Sequence, residues 1–180
     1  KVTGVQTCAL PICSELCPSS DLDLMLVHKD QEDIDSLADR IWYPLWDEGF
    51  KLGHSVRSLE QTLRLAADDL ETATSLLNAR IVAGDRALVD DLLTRNEKQW
   101  AEYGPARLEE LARNVGRRHL LAGEVAFLLE PDLKEGRGGL RDVHAIDWAA
   151  RAGVEVPTHD HDRLADAYRV LLEARVRSEE

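Results

Sequence analysis

One stretch constrains this chain more than any other: Asp21-Leu22-Asp23-Leu24-Met25-Leu26-Val27-His28, entered from the small polar turn Ser19-Ser20. Side chains two apart on a strand share a face and lie roughly 6.5–7 Å apart. A strand predicted over about residues 20–28 therefore puts Asp21 and Asp23 on one face and Leu22, Leu24 and Leu26 on the other. Two carboxylates held this way can share divalent cations. Paired Mg²⁺ ions about 3.5–4 Å apart drive in-line phosphoryl or nucleotidyl displacement. The same spacing also fits a solvated edge or turn, because Asp and Ser favour turns. The unbroken apolar run after the pair favours the cation, since carboxylates at the mouth of a buried strand need a cation or strong donors.

Composition narrows the class. At 180 residues the chain can bury one good core or two small ones. Its 34 acidic residues against 22 Lys and Arg give a net charge of −12. That charge argues against non-specific nucleic-acid binding, which depends on cations neutralising phosphates, and against docking on anionic membranes. A nucleotide is still admissible, because it needs only a local basic cluster and a metal. No apolar run approaches the ~18 residues of a membrane-spanning helix. The three cysteines, Cys8, Cys13 and Cys17, match no zinc spacing, and a chain without Cys beyond them fits a reducing cytoplasm.

Residues 1–13, KVTGVQTCALPIC, fit neither a signal peptide nor the orderly pattern beyond Ser14, and read as a non-native leader outside the fold. After the strand at 20–28 comes an amphipathic helix carrying Ile34, Leu37, Ile41, Leu45 and Trp46, ended by Gly49. Phe50 to Arg57 reads as a second strand. A long helix with Leu63, Leu70, Leu77 and Ile81 comes next and stops at Gly84-Asp85. Another, with Leu88, Val89, Leu92 and Leu93, closes near Tyr103-Gly104-Pro105. Helices are then expected over 106–129, 140–152 and 161–178. Strands first and helices afterwards predict an α+β fold, with a small sheet feeding an all-helical module. The acidic patches Asp30 to Asp35 and Asp68 to Glu71 read as helix starts, where carboxylates complement the macrodipole.

Two further constellations carry chemistry. Glu130-Pro131-Asp132-Leu133-Lys134-Glu135-Gly136-Arg137-Gly138-Gly139-Leu140-Arg141-Asp142 sets Lys134, Arg137 and Arg141 around three glycines, just before a helix. Backbone N–H groups at a helix start with flanking cations make a natural anion site, although a Gly-rich connector carrying solubilising charges has the same composition. Gly53-His54-Ser55-Val56-Arg57 places Ser55 and Arg57 on one strand face and His54 and Val56 on the other. Arg57 could meet a triphosphate or pair with Asp21 or Asp23, whereas His54 reads as structural. His159-Asp160-His161-Asp162 superficially suggests a metal phosphohydrolase, but reads as a loop and helix cap.

Three blocks together, Glu15 to Leu24, Gly53 to Arg57 and Leu129 to Asp142, resemble the bacterial protein-PII uridylyltransferase/uridylyl-removing enzymes. More distantly, the chain is similar to glutamine synthetase adenylyltransferase. The resemblance covers about residues 14–180. It implies a partial nucleotidyltransferase domain over 14–100, with its small mixed sheet, and a helical domain over 101–180. It also implies transfer of UMP from UTP to a tyrosine of the signal protein PII in the cytoplasm, or of AMP from ATP to PII or glutamine synthetase, with pyrophosphate released. Asp21 and Asp23 would be the catalytic carboxylates and Mg²⁺ ligands. Ser19, Ser20, Arg57, Lys134, Arg137 and Arg141 would contact the nucleotide, or the glycine-basic block would act as a brace. The family's Gly-Gly-x-Gly-Arg type turn does not precede Ser14, and Ser55 stands near the place of a third carboxylate. The uridylyl-removing and glutamine-sensing domains would lie beyond Glu180. This stretch alone is therefore expected to have little or no activity. The rival expectation is a non-catalytic helical docking module with a degenerate nucleotidyltransferase remnant.

Overall fold

The structure, a computed structural model, describes residues 5–7, 22–29 and 33–179; Ser19, Ser20, Asp21 and the three cysteines lie outside the described residues. The chain divides into two compact units, Lys1–Gln99 and Trp100–Glu180.

The alternating apolar stretch forms strand β2 (Leu22–His28), and the second predicted strand forms β3 (Leu52–Ser58). They run parallel, with Asp23 opposite Gly53, Leu24 opposite His54 and Met25 opposite Ser55. Helix α1 (Ile34–Asp47) makes the connection between them. Leu24 and Leu26 pack against Ala38 and Trp42 of α1, with Ile34, Ile41, Leu45, Leu52 and Val56 around them. The predicted Trp46 is 38% exposed, and Trp42 takes the buried place instead. Gly49 adopts a φ of +82° just beyond the helix, a conformation that suits glycine, and the Phe50 N–H closes the turn on the Leu45 carbonyl.

The sheet is mixed, in the order β3-β2-β1-β4, so the architecture is α+β. Its inner strand β1 (Val5–Thr7) pairs antiparallel with β2 and with β4 (Arg80–Ala83). Two expectations are corrected here. Part of the leader set aside from the fold supplies a strand. Ile81, assigned by its spacing to a helix, lies in β4, because the helical run ends at Asn78 and the β-branched Ile81-Val82 pair suits a ladder.

On the other face of β2, Thr62 of α2 (Leu59–Asp68) meets the Met25 sulfur, and α3 (Leu70–Leu77) packs against α2. Ser58 starts α2 with a reciprocal capping box: its hydroxyl accepts from the Gln61 N–H, and the Gln61 side chain accepts from the Ser58 N–H. Asp69 interrupts the single long helix expected over this region. Its N–H closes α2 on Leu65, and its carboxylate accepts from the Thr72 N–H at 2.7 Å to start α3. Met25 and Val27, on the Asp23 face, are therefore as buried as Leu24 and Leu26. The strand has core on both sides, and only its mouth is open.

Helix α4 (Arg86–Ala122) seals the first unit with Leu88, Val89 and Leu92, while Asn96 and Gln99 donate to the carbonyls of Ala73 and Leu63. The break expected at Tyr103-Gly104-Pro105 is absent, and α4 runs through Pro105. The missing proline N–H weakens one turn. Against that, Trp100 is buried and donates its indole N–H to the Trp148 carbonyl at 2.9 Å, and Gly104 is buried against the Trp100 ring and Ala152.

The second unit adds α5 (Leu140–Arg151) and α6 (Thr158–Glu179). His159 to Asp162 form the first turn of α6, within the helix and not before it. Among the described residues no three His, Cys, Asp or Glu side chains group as a metal site, and no helix is long and apolar enough to cross a membrane.

His144 is packed between Trp148 and Tyr168 and is only 4% exposed, with neither ring nitrogen hydrogen-bonded. Burial pushes its pKa from 6.5 down to about 4, and the charges of Arg141, Arg118 and Lys134 act in the same direction. The unfolded chain thus binds the proton more tightly than the fold does. The contribution to stability is complete above pH 6.5 and is lost as pH falls toward 4. By pH 5 the loss should reach about 2 kcal/mol. Urea unfolding of the native chain and of His144→Phe at pH 7 and pH 5 would show a smaller acid loss in the variant.

Candidate functional site

Asp23 is exposed near the mouth of β2, between half-buried Leu22 and the buried run Leu24 to Val27. It opens on a cleft of about 390 Å³ whose walls include Gly53, Ser55 and Arg57 of β3, and Asp69, Thr72 and Ser75 from the α2–α3 corner. The face assignments of Asp23, Ser55, Arg57, Leu24 and Leu26 hold, while that of Asp21 lies outside the described residues. Asp23, Ser55 and Arg57 share the cleft, which Leu24 and His54 also border, whereas Leu24 and Leu26 pack against α1. His54 lies on the α1 side, against the rings of Trp42 (5.6 Å) and Trp46 (5.1 Å).

Parallel pairing places Asp23 directly beside Gly53, and this contact is unusually close. A Cβ built on Gly53 would overlap the Asp23 Oδ1 atom. The corner at Asp69 is not visible as a site feature in the sequence. Its signal is present in the Asp69-Leu70-Glu71-Thr72 run, which reads as a helix start and forms one. Because α3 begins there, Thr72 and Ser75, three residues apart on one helical face, both reach the cleft.

The glycine-basic block folds differently from an open anion loop. Arg137 is paired with Glu124 at 2.8 Å, and Arg141 with Glu135 at 3.4 Å. The Asp132 carboxylate accepts from the N–H groups of Lys134 and Glu135. The Arg137 N–H donates to the Gly123 carbonyl, and its own carbonyl accepts from Val125. A Cβ on Gly139 would stand 2.7 Å from the Leu133 carbonyl oxygen, and one on Gly136 would stand 2.6 Å from that of Asp132. Glycine is required where these backbones touch.

Asp142, the last residue of the block, carries no distinguishing mark in the sequence, yet it is the hub. Its carboxylate accepts from Arg118, from His119 Nε2 at 2.8 and 3.0 Å, and from the Gly138 N–H at 2.7 Å. Partial burial raises its pKa, but the Gly138 N–H, His119 and Arg118 outweigh that and hold it below the usual carboxylate value. Arg118 also donates to the Glu135 carbonyl, so α4, the loop and the first turn of α5 are tied at one point.

Residues 106–167 match the sequence model of the GlnD PII-uridylyltransferase family. The chain is 45% identical over 164 residues to the bifunctional uridylyltransferase/uridylyl-removing enzyme of Streptomyces coelicolor, a match covering 89% of this chain and 19% of that protein. It is 41% identical over 169 residues to the enzyme of that name in Mycobacterium tuberculosis, covering 89% of this chain and 21% of the relative. With the Nitrobacter hamburgensis enzyme of that name it shares 38% over 143 residues, 76% of this chain and 15% of the relative. No solved structure matches. Over most of its length the chain is thus similar to one stretch of the bifunctional uridylyltransferase/uridylyl-removing enzymes, and the GlnD PII-uridylyltransferase family match falls on its helical second half. The chain spans about a fifth of the length of these relatives.

Proposed function

We propose that this chain carries the aspartate-bearing part of a nucleotidyltransferase that moves UMP from UTP to a tyrosine of the signal protein PII in the cytoplasm. The observation that carries the reading is the exposed Asp23 carboxylate at the open mouth of an otherwise buried strand, with Arg57 and Ser55 in the same cleft.

The donor set fits Mg²⁺. That ion prefers oxygen ligands and is usually held by one or two carboxylates, with substrate phosphates and waters completing its shell. Asp23 and Asp21, two residues apart, would supply the carboxylates. When bound, the ion offsets charge on the transferring phosphoryl group and on the leaving pyrophosphate. Arg57 would offer a cation to the phosphates, and Ser19 and Ser20 would offer hydroxyl donors. In the balanced step the tyrosine oxygen bonds to the α-phosphorus, the bond to the bridging oxygen breaks, and pyrophosphate leaves. The tyrosine proton passes to solvent or to a carboxylate.

For Lys134, Arg137 and Arg141 the bracing role is preferred to nucleotide contact. The two arginines already face Glu124 and Glu135, and the surrounding backbone is closed on itself.

The test is the full-length protein carrying this stretch, given labelled UTP or ATP with PII. Label from UTP on PII, reduced in the Asp21→Asn/Asp23→Asn double variant, is the expected result. Label from ATP alone would redirect the assignment to adenylyl transfer. Equal labelling by the double variant would overturn the site, and PII binding that ignores both aspartates without any labelling would favour a docking module.

A further inference from the structure

We infer that Gly53 is a positioning residue for Asp23: the absence of a side chain on β3 is what lets the Asp23 carboxylate lean across its neighbouring strand into the cleft. This rests on the cation-binding reading above and adds a residue to it.

Three observations converge. Gly53 lies inside a strand, where glycine costs conformational entropy and packs nothing. Its backbone does not require glycine, since it is absent from the residues with positive φ. The ordinary reason for a glycine is therefore missing, and the remaining one is close approach. The register supplies it: Asp23 and Gly53 are direct partners in the parallel ladder, and their side positions face the same way. A Cβ at Gly53 would overlap Asp23 Oδ1 and would lie 3.4 Å from its Cγ. The nearest backbone atom, the Leu22 carbonyl oxygen, would be 3.8 Å away, an ordinary contact.

This pattern separates fold from site. A methyl group at position 53 strikes the end of one side chain and touches no backbone closely. The strand should tolerate alanine or gain from it. The carboxylate, however, must leave the place it now occupies. Any other residue type would force the Asp23 carboxylate out of its present place toward a second rotamer.

The experiment measures Mn²⁺ binding to the 180-residue chain by electron paramagnetic resonance of the free ion, together with thermal melting. Asp23→Asn should weaken binding at least tenfold. Gly53→Ala should weaken it by roughly 10–100-fold, the range seen when groups that orient metal ligands are changed, with a melting temperature equal to or above that of the parent. In the Asp23→Asn background, Gly53→Ala should have no further effect on Mn²⁺, because the group through which it acts is gone. Mn²⁺ binding intact in Gly53→Ala but lost in Asp23→Asn would overturn the inference alone. Additive losses in the double variant, or a melting temperature several degrees lower in Gly53→Ala, would overturn it in favour of a structural role. Binding absent from the parent chain, or unchanged by Asp23→Asn, would overturn the metal reading and the inference with it.

Discussion

Asp23→Asn should reduce uridylyl transfer by the full-length protein about a thousand-fold while leaving its folding intact. The stability half of this expectation rests on exposure: Asp23 sits at the open end of β2 and contributes nothing to the core of Leu24, Leu26, Ala38 and Trp42. The activity half rests on charge. An asparagine keeps the shape but loses the anion that would hold a divalent cation. Charge stabilisation by such an ion is worth several kcal/mol in the transition state, and about 4 kcal/mol is a factor of roughly a thousand in rate. Single-turnover transfer from labelled UTP at saturating Mg²⁺ would check the rate, and urea unfolding would check the fold. A variant within threefold of the parent would show that Asp23 does not touch the reacting groups.

Asp142→Ala should destabilise the chain by about 3 kcal/mol, the largest effect expected of any polar substitution in the second unit. Its carboxylate answers three donors at once, and two of them, Arg118 and His119, are themselves only about one-fifth exposed. Removing the acceptor leaves a half-buried guanidinium and the Gly138 N–H without it, and breaking a buried pair from one side is far costlier than never making it. The contrast is Arg137→Ala. Its partner Glu124 is accessible, its own side chain is 63% exposed, and the loss should stay under about 1 kcal/mol. Because the folded carboxyl of Asp142 is held below its ordinary 3.8, its contribution is present above that value and disappears as pH falls through the lowered one. The gap between parent and Asp142→Ala in urea midpoint should therefore narrow in strong acid.

The parts of the fold that are legible in the sequence are those fixed by local period. β2, α1 with its Gly49 stop, and β3 all arise from alternation or from a 3.6-residue stripe. The departures have a common cause. Leu77 and Ile81 are four apart and mimic a helix, but what decides Ile81 is a ladder to β1, formed by residues more than 70 positions away. Gly104-Pro105 is a sound local stop signal, overridden by the packing of Trp100 against the Trp148 carbonyl. The site divides in the same way. Asp23, Ser55 and Arg57 can be placed on one face from strand period alone. The Asp142 hub cannot, because its partners Arg118 and His119 lie more than 20 residues upstream on another helix.

The single extended residue between α2 and α3 limits how this region can vary in length. Asp69 is both the end of one helix and the cap of the next, so there is no loop to absorb an inserted or deleted residue. One residue more or less between Asp69 and Thr72 would turn the rest of α3 by about 100°. Thr72, Ser75 and Leu76 would leave the cleft together, and their neighbours would take their place. Sequence change here is confined to substitution, and any viable length variation must occur elsewhere, such as the turn at Gly84.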